Sequence, residues 1–174
     1  ERENFSIAAI NLDHGVPCIG LSFKEADRRK MKVAALKKMG IEPGPTYAKL
    51  QKGQDVVVGG QKIKSDQVTT IVKGKKISYI ADTAFTQNAV ELARDADILV
   101  SESSFIDQDK KHAEKSKHLT AQQAGQIASL ADVQRLILTH FSQRYRDVDV
   151  VLQDAKVTFE DVELAHDFYK VKVK

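Results

Sequence analysis

The sequence of residues 136–145 is Leu-Ile-Leu-Thr-His-Phe-Ser-Gln-Arg-Tyr, an apolar run followed by side chains that can bind metal or phosphate. A short apolar run without polar alternation is typical of a parallel strand that is covered on both faces. His140 then lies at the carboxyl end of this strand, where ligands bind in sheets flanked by helices. We therefore expect a functional site at this strand end.

The residues around His140 decide between two interpretations of it. Taken alone, a histidine at a strand end is somewhat more often structural than a metal ligand. Ser142, Arg144 and Tyr145 follow it closely and offer a hydroxyl, a guanidinium fork and a phenol, which are groups that bind phosphate oxygens. Together they favour a site for metal or phosphate.

Two other predicted strands end in acidic residues. The runs 77–83 and 98–102 carry Asp82 and Glu102 at their ends, and strands alternate with helical patterns in this part of the chain. This alternation predicts an α/β layered sheet. We therefore expect Asp82, Glu102 and His140 to lie on one rim of one sheet.

The remaining pattern predicts short elements along the whole chain. The predicted strands and hairpin are residues 5–10, 16–23, 56–63 with a turn at Gly59-Gly60, and, closing the chain, 162–165 and 168–173. The predicted helices are a short one that Gly40 ends, then residues 88–94, 121–130 after Thr120 as N-cap, and about 148–157. A polar connection is expected to follow the hairpin as far as Lys76.

Composition excludes several classes of protein. With 174 residues, 42% of them hydrophobic and 29% charged, the chain fits one globular domain. Because no apolar run approaches the roughly 20 residues that span a bilayer and no leader pattern is evident, we expect a soluble, cytoplasmic protein with no membrane contact. Cys18 is the only cysteine, so an internal disulfide and a four-cysteine zinc site are excluded. A metal would be held mainly by His, Asp and Glu.

Positive charge is concentrated between residues 24 and 52, where the net charge is +6, whereas the whole chain has +3. The basic residues are Lys24, Arg28, Arg29, Lys30, Lys32, Lys37, Lys38, Lys49 and Lys52, and the acidic ones are Glu25, Asp27 and Glu42. Two prolines around Gly44 fix a bend in this part of the chain. We interpret residues 24–53 as a protruding arm for a polyanion, and a solvated helix face explains the charge about equally well.

The candidate residues fall into two chemical groups. His14, Asp82 and His140 could each bind a divalent metal such as zinc, and an aspartate can bridge two ions that together assist phosphoryl displacement. His118 paired with Glu102 fits proton transfer, because a carboxylate fixes the imidazole tautomer and raises its basicity. His112 and His166 have no such context, and we expect them to be structural or exposed.

Six motifs in order along the chain resemble ribonuclease Z, the tRNA 3′-end processing endonuclease of the metallo-β-lactamase superfamily. They are Asp-His-Gly-Val-Pro-Cys-Ile-Gly at 13–20, Gly44-Pro45, Asp82-Thr83, Ser-Glu-Ser-Ser-Phe at 101–105, His-Leu-Thr at 118–120, and Leu-Thr-His-Phe-Ser-Gln-Arg-Tyr at 138–145. Each motif is weak alone, but the ordered set is highly specific.

The resemblance implies an αββα sandwich with two zinc ions in the complete site. His14 would bind one ion, His140 the other, and Asp82 would bridge them. Glu102 and His118 would help to protonate the leaving 3′ oxygen.

The resemblance also implies partners. Residues 24–53 would be the exosite arm that grips tRNA, with Gly44, Pro45 and Lys49 in it, and the family works as homodimers. The motif His-x-His-x-Asp-His of the family is absent from this sequence, so the chain resembles the C-terminal half of the enzyme and would need the N-terminal half of the domain. Ala81 and Ser101 replace a glycine and a histidine that are usual in the family.

We therefore expect a zinc-dependent endoribonuclease that removes the 3′ trailer from precursor tRNA once the missing metal motif is supplied. Two alternatives stay open. One is a metal-dependent phosphodiesterase with other substrates, and the other is a non-catalytic RNA-binding half-domain.

Overall fold

A computed structural model of the chain describes residues 4–173. Within them the strands are β1 (Phe5–Leu12), β2 (Cys18–Glu25), β3 (Arg28–Met31), β4 (Val56–Val58), β5 (Gln61–Ile63), β6 (Thr69–Val72), β7 (Lys76–Ile80), β8 (Ile98–Glu102), β9 (Leu136–Thr139) and β10 (Val162–Leu164). The helices are α1 (Val33–Lys38), α2 (Pro45–Gln51), α3 (Ser65–Val68), α4 (Gln87–Ala93), α5 (Lys110–Ser116), α6 (Ala121–Leu130) and α7 (Asp149–Lys156). The described residues form two compact units, which divide after Lys24 and after Gly74.

The first unit is built on a six-stranded sheet with the order β1-β2-β7-β8-β9-β10. β2 is antiparallel to β7, and β7, β8, β9 and β10 run parallel to one another. The register pairs Ile80 with Ser101, and Glu102 with Thr139. The carboxyl ends of β7, β8 and β9 therefore meet at one edge, which confirms the predicted common rim.

One face of this sheet is covered by helices. The buried side chains Ile80, Leu99, Leu136 and Leu138 share a hydrophobic core with residues of α4, α6 and α7. Parallel strands need crossover connections, and helices in those connections cover the sheet in this way. The described first unit is thus one helical layer on one sheet.

The opposite face of the sheet is apolar and exposed. Its side chains alternate along β1, β2 and β7, and they include Phe5, Ile7, Ile19, Leu21, Phe23 and Tyr79, which are 37–65% exposed. Leu21 is opposite Tyr79 in the register, and the Phe5 and Phe23 rings lie 5.2 Å apart. An apolar sheet face of this kind is usually covered by another layer of structure.

Helix α6 begins with the predicted N-cap and packs closely on α7. The Thr120 hydroxyl accepts a hydrogen bond from Gln123 N (3.1 Å), and Gln123 Oε1 accepts one from Thr120 N (3.0 Å), which is a capping box. Asp154 on α7 accepts a further bond from Gln122 N (3.0 Å). A Cβ on Gly125 would lie 2.3 Å from the Thr158 hydroxyl oxygen, so glycine is needed for this close approach.

The second unit, Glu25–Gly74, has its own small core of Leu36, Ile41, Leu50, Val56, Ile63 and Val68. The β4–β5 hairpin has Gly59 and Gly60 at φ +57° and +78°, as a two-residue hairpin turn requires. Gly40, at φ +66°, follows α1 as predicted. The segment that was predicted to be a polar connection forms α3 and β6 instead. Because β6 pairs with β3, the unit extends to Gly74.

The strand predicted for residues 168–173 is wrong. Those residues are outside any strand, and Phe168 has a left-handed φ of +64° that interrupts extended backbone. The turn is closed by a hydrogen bond from Tyr169 N to His166 O (3.0 Å). Among residues 4–173, no helix combines the length and apolarity needed to cross a membrane.

Replacing Gly125 with alanine is expected to destabilise the first unit by about 1–3 kcal/mol, because the added methyl group overpacks the α6–α7 contact. Without that contact, alanine would stabilise a helix by about 1 kcal/mol relative to glycine. The free energy of unfolding from denaturant titration measures the effect. Gln126→Ala is the control, since Gln126 is exposed in the same helix. A Gly125→Ala protein as stable as the unaltered one would contradict the close packing.

Candidate metal centre at the rim of the sheet

Three potential metal ligands converge at the rim. His140 follows β9 with a left-handed φ of +58°, and its Nε2 lies 3.5 Å from Oδ1 of Asp82, which follows β7. The His118 ring, just before α6, stacks on the His140 ring at a centroid distance of 5.2 Å. Ligand atoms of Asp82, His118 and His140 all lie within 4.8 Å of one another.

This donor set fits a divalent metal such as zinc. Zinc is bound by imidazole nitrogens and carboxylate oxygens at about 2.0–2.2 Å, so two ligands of one ion are at most about 4.4 Å apart. The ligand atoms of the three residues all lie within 4.8 Å of one another, so their separations exceed this limit by a few tenths of an ångström at most. A site with three protein ligands also keeps positions open for water or substrate, as catalytic zinc sites do.

Glu102 lies directly behind the three donors, and its side chain is 1% exposed. Its Oε1 accepts hydrogen bonds from Thr83 N (2.7 Å) and His118 Nδ1 (2.9 Å), and its Oε2 accepts one from the Ser104 hydroxyl (2.7 Å). A buried carboxylate is tolerated when its oxygens are satisfied in this way. Glu102 is therefore held rigidly and acts on the rim through His118.

The hydrogen bonds also determine which histidine nitrogens face the rim. A carboxylate oxygen only accepts hydrogen bonds, so His118 Nδ1 carries the proton in this contact and Nε2 is left free. His14 Nδ1 lies 2.9 Å from the carbonyl oxygen of Lys117, which likewise only accepts. Both imidazoles thus present Nε2 for metal binding or proton transfer.

His14 lies beside this cluster. The centroid of its ring is 4.9 Å from that of the His118 ring. Among the described residues, the group whose ligand atoms lie close enough together to hold one ion consists of Asp82, His118 and His140. The His14 turn is fixed to the neighbouring loop by the ion pair of Asp13 with Lys117 (2.7 Å). The metal-binding role of His14 stays a prediction. His118, which we expect to transfer a proton, also lies close enough to Asp82 and His140 to bind the same ion.

The residues after His140 form a second network. Arg144 makes an ion pair with Asp109 (3.0 Å), and its guanidinium carbon lies 5.0 Å from the centre of the Phe105 ring. The Tyr145 hydroxyl donates to Asp109 Oδ2 (2.6 Å) and accepts from Ile106 N (3.0 Å). The phenol of Tyr145 is therefore engaged within the protein, whereas Arg144 is exposed.

The remaining predicted phosphate-binding residues are in separate places. Ser142 N donates to Ser104 O (3.2 Å), which puts Ser142 next to the rim. Gly44, Pro45 and Lys49 belong to the second unit, where Gly44 and Pro45 begin α2 and Lys49 is exposed in it. Their roles in RNA binding stay predictions, as does the role of residues 24–53 as a tRNA-binding arm. His112 and His166 are exposed, as expected.

Sequence reasoning gave no role to three residues that organise the site. Ser104 lies inside the quoted motif 101–105, but its contact with His140 depends on the register of β8 and β9. Lys117 acts through its backbone carbonyl, which no side-chain pattern reveals. Asp109 is separated from Arg144 and Tyr145 by two helices and a strand.

The Asp109 network has a predictable dependence on pH. The hydrogen bond from Tyr145, followed by contacts with Arg144, lowers the pKa of the Asp109 carboxyl. Burial, followed by the hydrogen bond to Asp109, raises the pKa of Tyr145 from 10.0 to about 12. Since the raised value belongs to the folded state, the stabilisation is complete below pH 10.0 and is lost as pH rises toward 12.

Tyr145→Phe is expected to lower the free energy of unfolding by about 1–2 kcal/mol near neutral pH, because Asp109 loses a donor and Ile106 N loses its acceptor. The difference between the two proteins should shrink above pH 10.0, where unfolded tyrosine ionises. Denaturant titrations across this range measure it. Tyr79→Phe provides the tyrosine control, because Tyr79 is 44% exposed. A difference that did not change with pH would show that the phenol does not titrate through this contact.

Comparison with known proteins identifies similar chains. The sequence family described as the Beta-lactamase superfamily domain matches residues 9–141 of this chain. A metallo-beta-lactamase fold protein from Bacillus subtilis superposes on 95% of this chain and 48% of that chain, with a TM-score of 0.59 and 20% identity. The short form of human tRNase Z superposes on 100% of this chain and 45% of that chain, with a TM-score of 0.60 and 25% identity. The predicted fold class, a metallo-β-lactamase fold, is confirmed.

Sequence relatives give the same result. Ribonuclease Z of Archaeoglobus fulgidus is 39% identical over 175 residues, which are 98% of this chain and 57% of that protein. Ribonuclease Z of Bacillus velezensis is 36% identical over 180 residues, 100% of this chain and 58% of that protein. The predicted resemblance to ribonuclease Z is confirmed, and the chain spans less than three fifths of these relatives.

Proposed function

Because the chain belongs to the β-lactamase superfamily, we propose that it contributes its rim residues to a zinc-dependent, cytoplasmic endoribonuclease that removes the 3′ trailer from precursor tRNA. The cluster of Asp82, His118 and His140 in front of the buried Glu102 is the observation that carries this proposal. The similarity to ribonuclease Z along nearly the whole chain supports the choice of substrate.

Asp82, His140 and His14 are the residues that would hold zinc, two ions in the complete site. Zinc, when bound, polarises the phosphate and activates the attacking water. Asp82 supplies negative charge at the rim, and its carboxylate has two oxygens with which to bridge neighbouring ions. The Nε2 atom of His140 lies 3.5 Å from Oδ1 of Asp82 and is the atom that would coordinate an ion.

His118 is the residue that would deliver a proton to the leaving 3′ oxygen, so that the tRNA ends in a 3′ hydroxyl. Glu102 fixes the proton on His118 Nδ1, which leaves Nε2 facing the rim as the atom for proton transfer. The exposed guanidinium of Arg144, next to the same rim, provides N–H donors for a phosphate oxygen. Ser142 provides a hydroxyl beside it.

We propose that the second unit binds the body of the tRNA. Residues 25–74 contain eight of the nine basic residues counted between residues 24 and 52, Lys49 among them. Neutralising RNA phosphates releases counterions, which favours binding. Gly44 and Pro45, at the start of α2, belong to this binding surface. We also propose a homodimer in which the arm of one subunit serves the site of the other.

His118→Ala is expected to reduce cleavage of precursor tRNA by about 10²–10⁴-fold in the complete enzyme, because the leaving oxygen loses its proton donor. His166→Ala, at an exposed histidine, should cleave normally. Zinc content measured on both variants separates the two possible roles of His118, since only loss of a ligand lowers it. Unchanged cleavage by His118→Ala would contradict the role in catalysis. Cleavage of a chromogenic phosphodiester but not of precursor tRNA would favour a phosphodiesterase with other substrates.

We further propose that the N-terminal half of the domain covers the apolar sheet face and completes the metal site. Elemental analysis and native mass spectrometry of protein purified without added metal or chelator should find about two zinc ions, as in two-metal sites, together with a second polypeptide or a longer chain. A soluble, sharply melting monomer of residues 1–174 would contradict the need for a covering half, whereas zinc missing from the chain by itself would mean that this chain holds half of an active site. RNA binding by such a monomer would support the non-catalytic alternative.

A further inference from the structure

We propose that Ser104 is a positioning residue whose hydroxyl joins Glu102 to His140 and fixes the tautomer of the His140 imidazole. The Ser104 side chain lies between these two groups, and the residue is 4% exposed. Its Oγ is 2.7 Å from Glu102 Oε2 and 2.7 Å from His140 Nδ1. Both contacts are within ordinary hydrogen-bond distances, so the hydroxyl bonds to both groups at once.

The direction of the two hydrogen bonds follows from the number of protons available. A serine hydroxyl has one proton, and a carboxylate oxygen can only accept. Ser104 therefore donates to Glu102 and accepts from His140, so His140 Nδ1 must carry a proton. His140 Nε2, which faces Asp82 at 3.5 Å, is then the unprotonated nitrogen.

The backbone holds Ser104 in this position. Ser103 N donates to Thr139 O (2.9 Å), and Ser142 N donates to Ser104 O (3.2 Å), so the segments after β8 and β9 are fixed to each other on both sides of His140. These contacts fix the Ser104 backbone next to His140, and the hydrogen bond to Glu102 holds its hydroxyl there. A single carboxylate, Glu102, consequently orients His118 directly and His140 through Ser104.

The consequence for the proposed zinc site is that the His140 imidazole presents an unprotonated Nε2 before any metal arrives. A partner that fixes the second ring nitrogen of a histidine ligand typically raises metal affinity by about 10–100-fold. This consequence for affinity rests on the proposed function, whereas the tautomer of His140 does not.

The test is the ¹⁵N NMR spectrum of the histidine rings in metal-free protein, prepared with any second polypeptide that co-purifies. The spectrum is recorded well above the ordinary imidazole pKa of about 6.5, so that the rings are neutral. In the unaltered protein, His140 is expected to be in the Nδ1–H form. An Nε2–H form of His140 in the unaltered protein would overturn the proposal without recourse to any variant.

Three variants separate the hydroxyl contact from general effects on structure. Ser104→Ala should shift His140 toward the Nε2–H form and leave His118 in the Nδ1–H form, whereas Ser104→Thr keeps a hydroxyl and should restore the original spectrum. Ser103→Ala is the matched control, because Ser103 is a buried neighbour whose hydroxyl donates to Thr139 O instead (3.1 Å). A spectrum of Ser104→Ala identical to that of the unaltered protein would contradict the proposal.

Zinc titration of the same proteins provides the second readout. Ser104→Ala should bind zinc about 10–100-fold more weakly than the unaltered protein, and Ser104→Thr and Ser103→Ala should bind it normally. Equal affinity in Ser104→Ala would refute the effect of the hydroxyl on the metal. If the unaltered protein bound no zinc but showed the expected tautomers, the proposed function would fail and the role of Ser104 would stand.

Discussion

The buried carboxylate of Glu102 is the constraint on which the geometry of the rim depends. An almost fully buried charged group must have its oxygens satisfied, and the partners that do so are Thr83 N, His118 and Ser104. Each of these partners belongs to a different segment: the turn after β7, the residues that precede the N-cap of α6, and the turn after β8. Satisfying one carboxylate therefore brings together the three segments that carry the chemistry.

The parallel register makes this convergence possible. Because β7, β8 and β9 run in the same direction, the residues after each strand reach the same edge without a long loop. His140 needs one further adjustment, a left-handed backbone conformation that is uncommon for residues other than glycine. Such strain is found at functional sites where the surrounding structure fixes the conformation, and here the contacts of Ser103 and Ser104 provide that support.

Those features of the fold that depend on local sequence were predictable. Thr120 forms the expected N-cap, in a capping box with Gln123, and Gly59-Gly60 forms the expected hairpin turn, because each depends on neighbouring residues alone. The common rim was also predictable, since strand ends of one direction must meet. The β6 strand was missed because its partner, β3, is distant in sequence, and the strand predicted near Phe168 was wrong because alternation does not reveal a left-handed residue.

The candidate site was predictable as a set of residues, but the connections between them were not. Ser104 and the carbonyl of Lys117 act through distances that arise only after folding. A serine after a predicted strand is too common to indicate a tautomer, and a carbonyl is present at every position. The Tyr145 phenol, which is suited to phosphate binding, also donates to Asp109 within the protein, a contact that the sequence did not reveal, and its role in phosphate binding stays a prediction.

The exposed sheet face and the small number of metal ligands at the rim set two requirements for the N-terminal half that we propose. It must present an apolar layer that covers Leu21, Phe23 and Tyr79, since an exposed face of this kind favours association. It must also carry further metal ligands at the edge where Asp82 and His140 lie. Both conditions are met by one sheet whose strands end at the same rim, because packing the two faces together then brings both sets of strand ends to one site. Completion of the core and completion of the metal site would therefore be a single event.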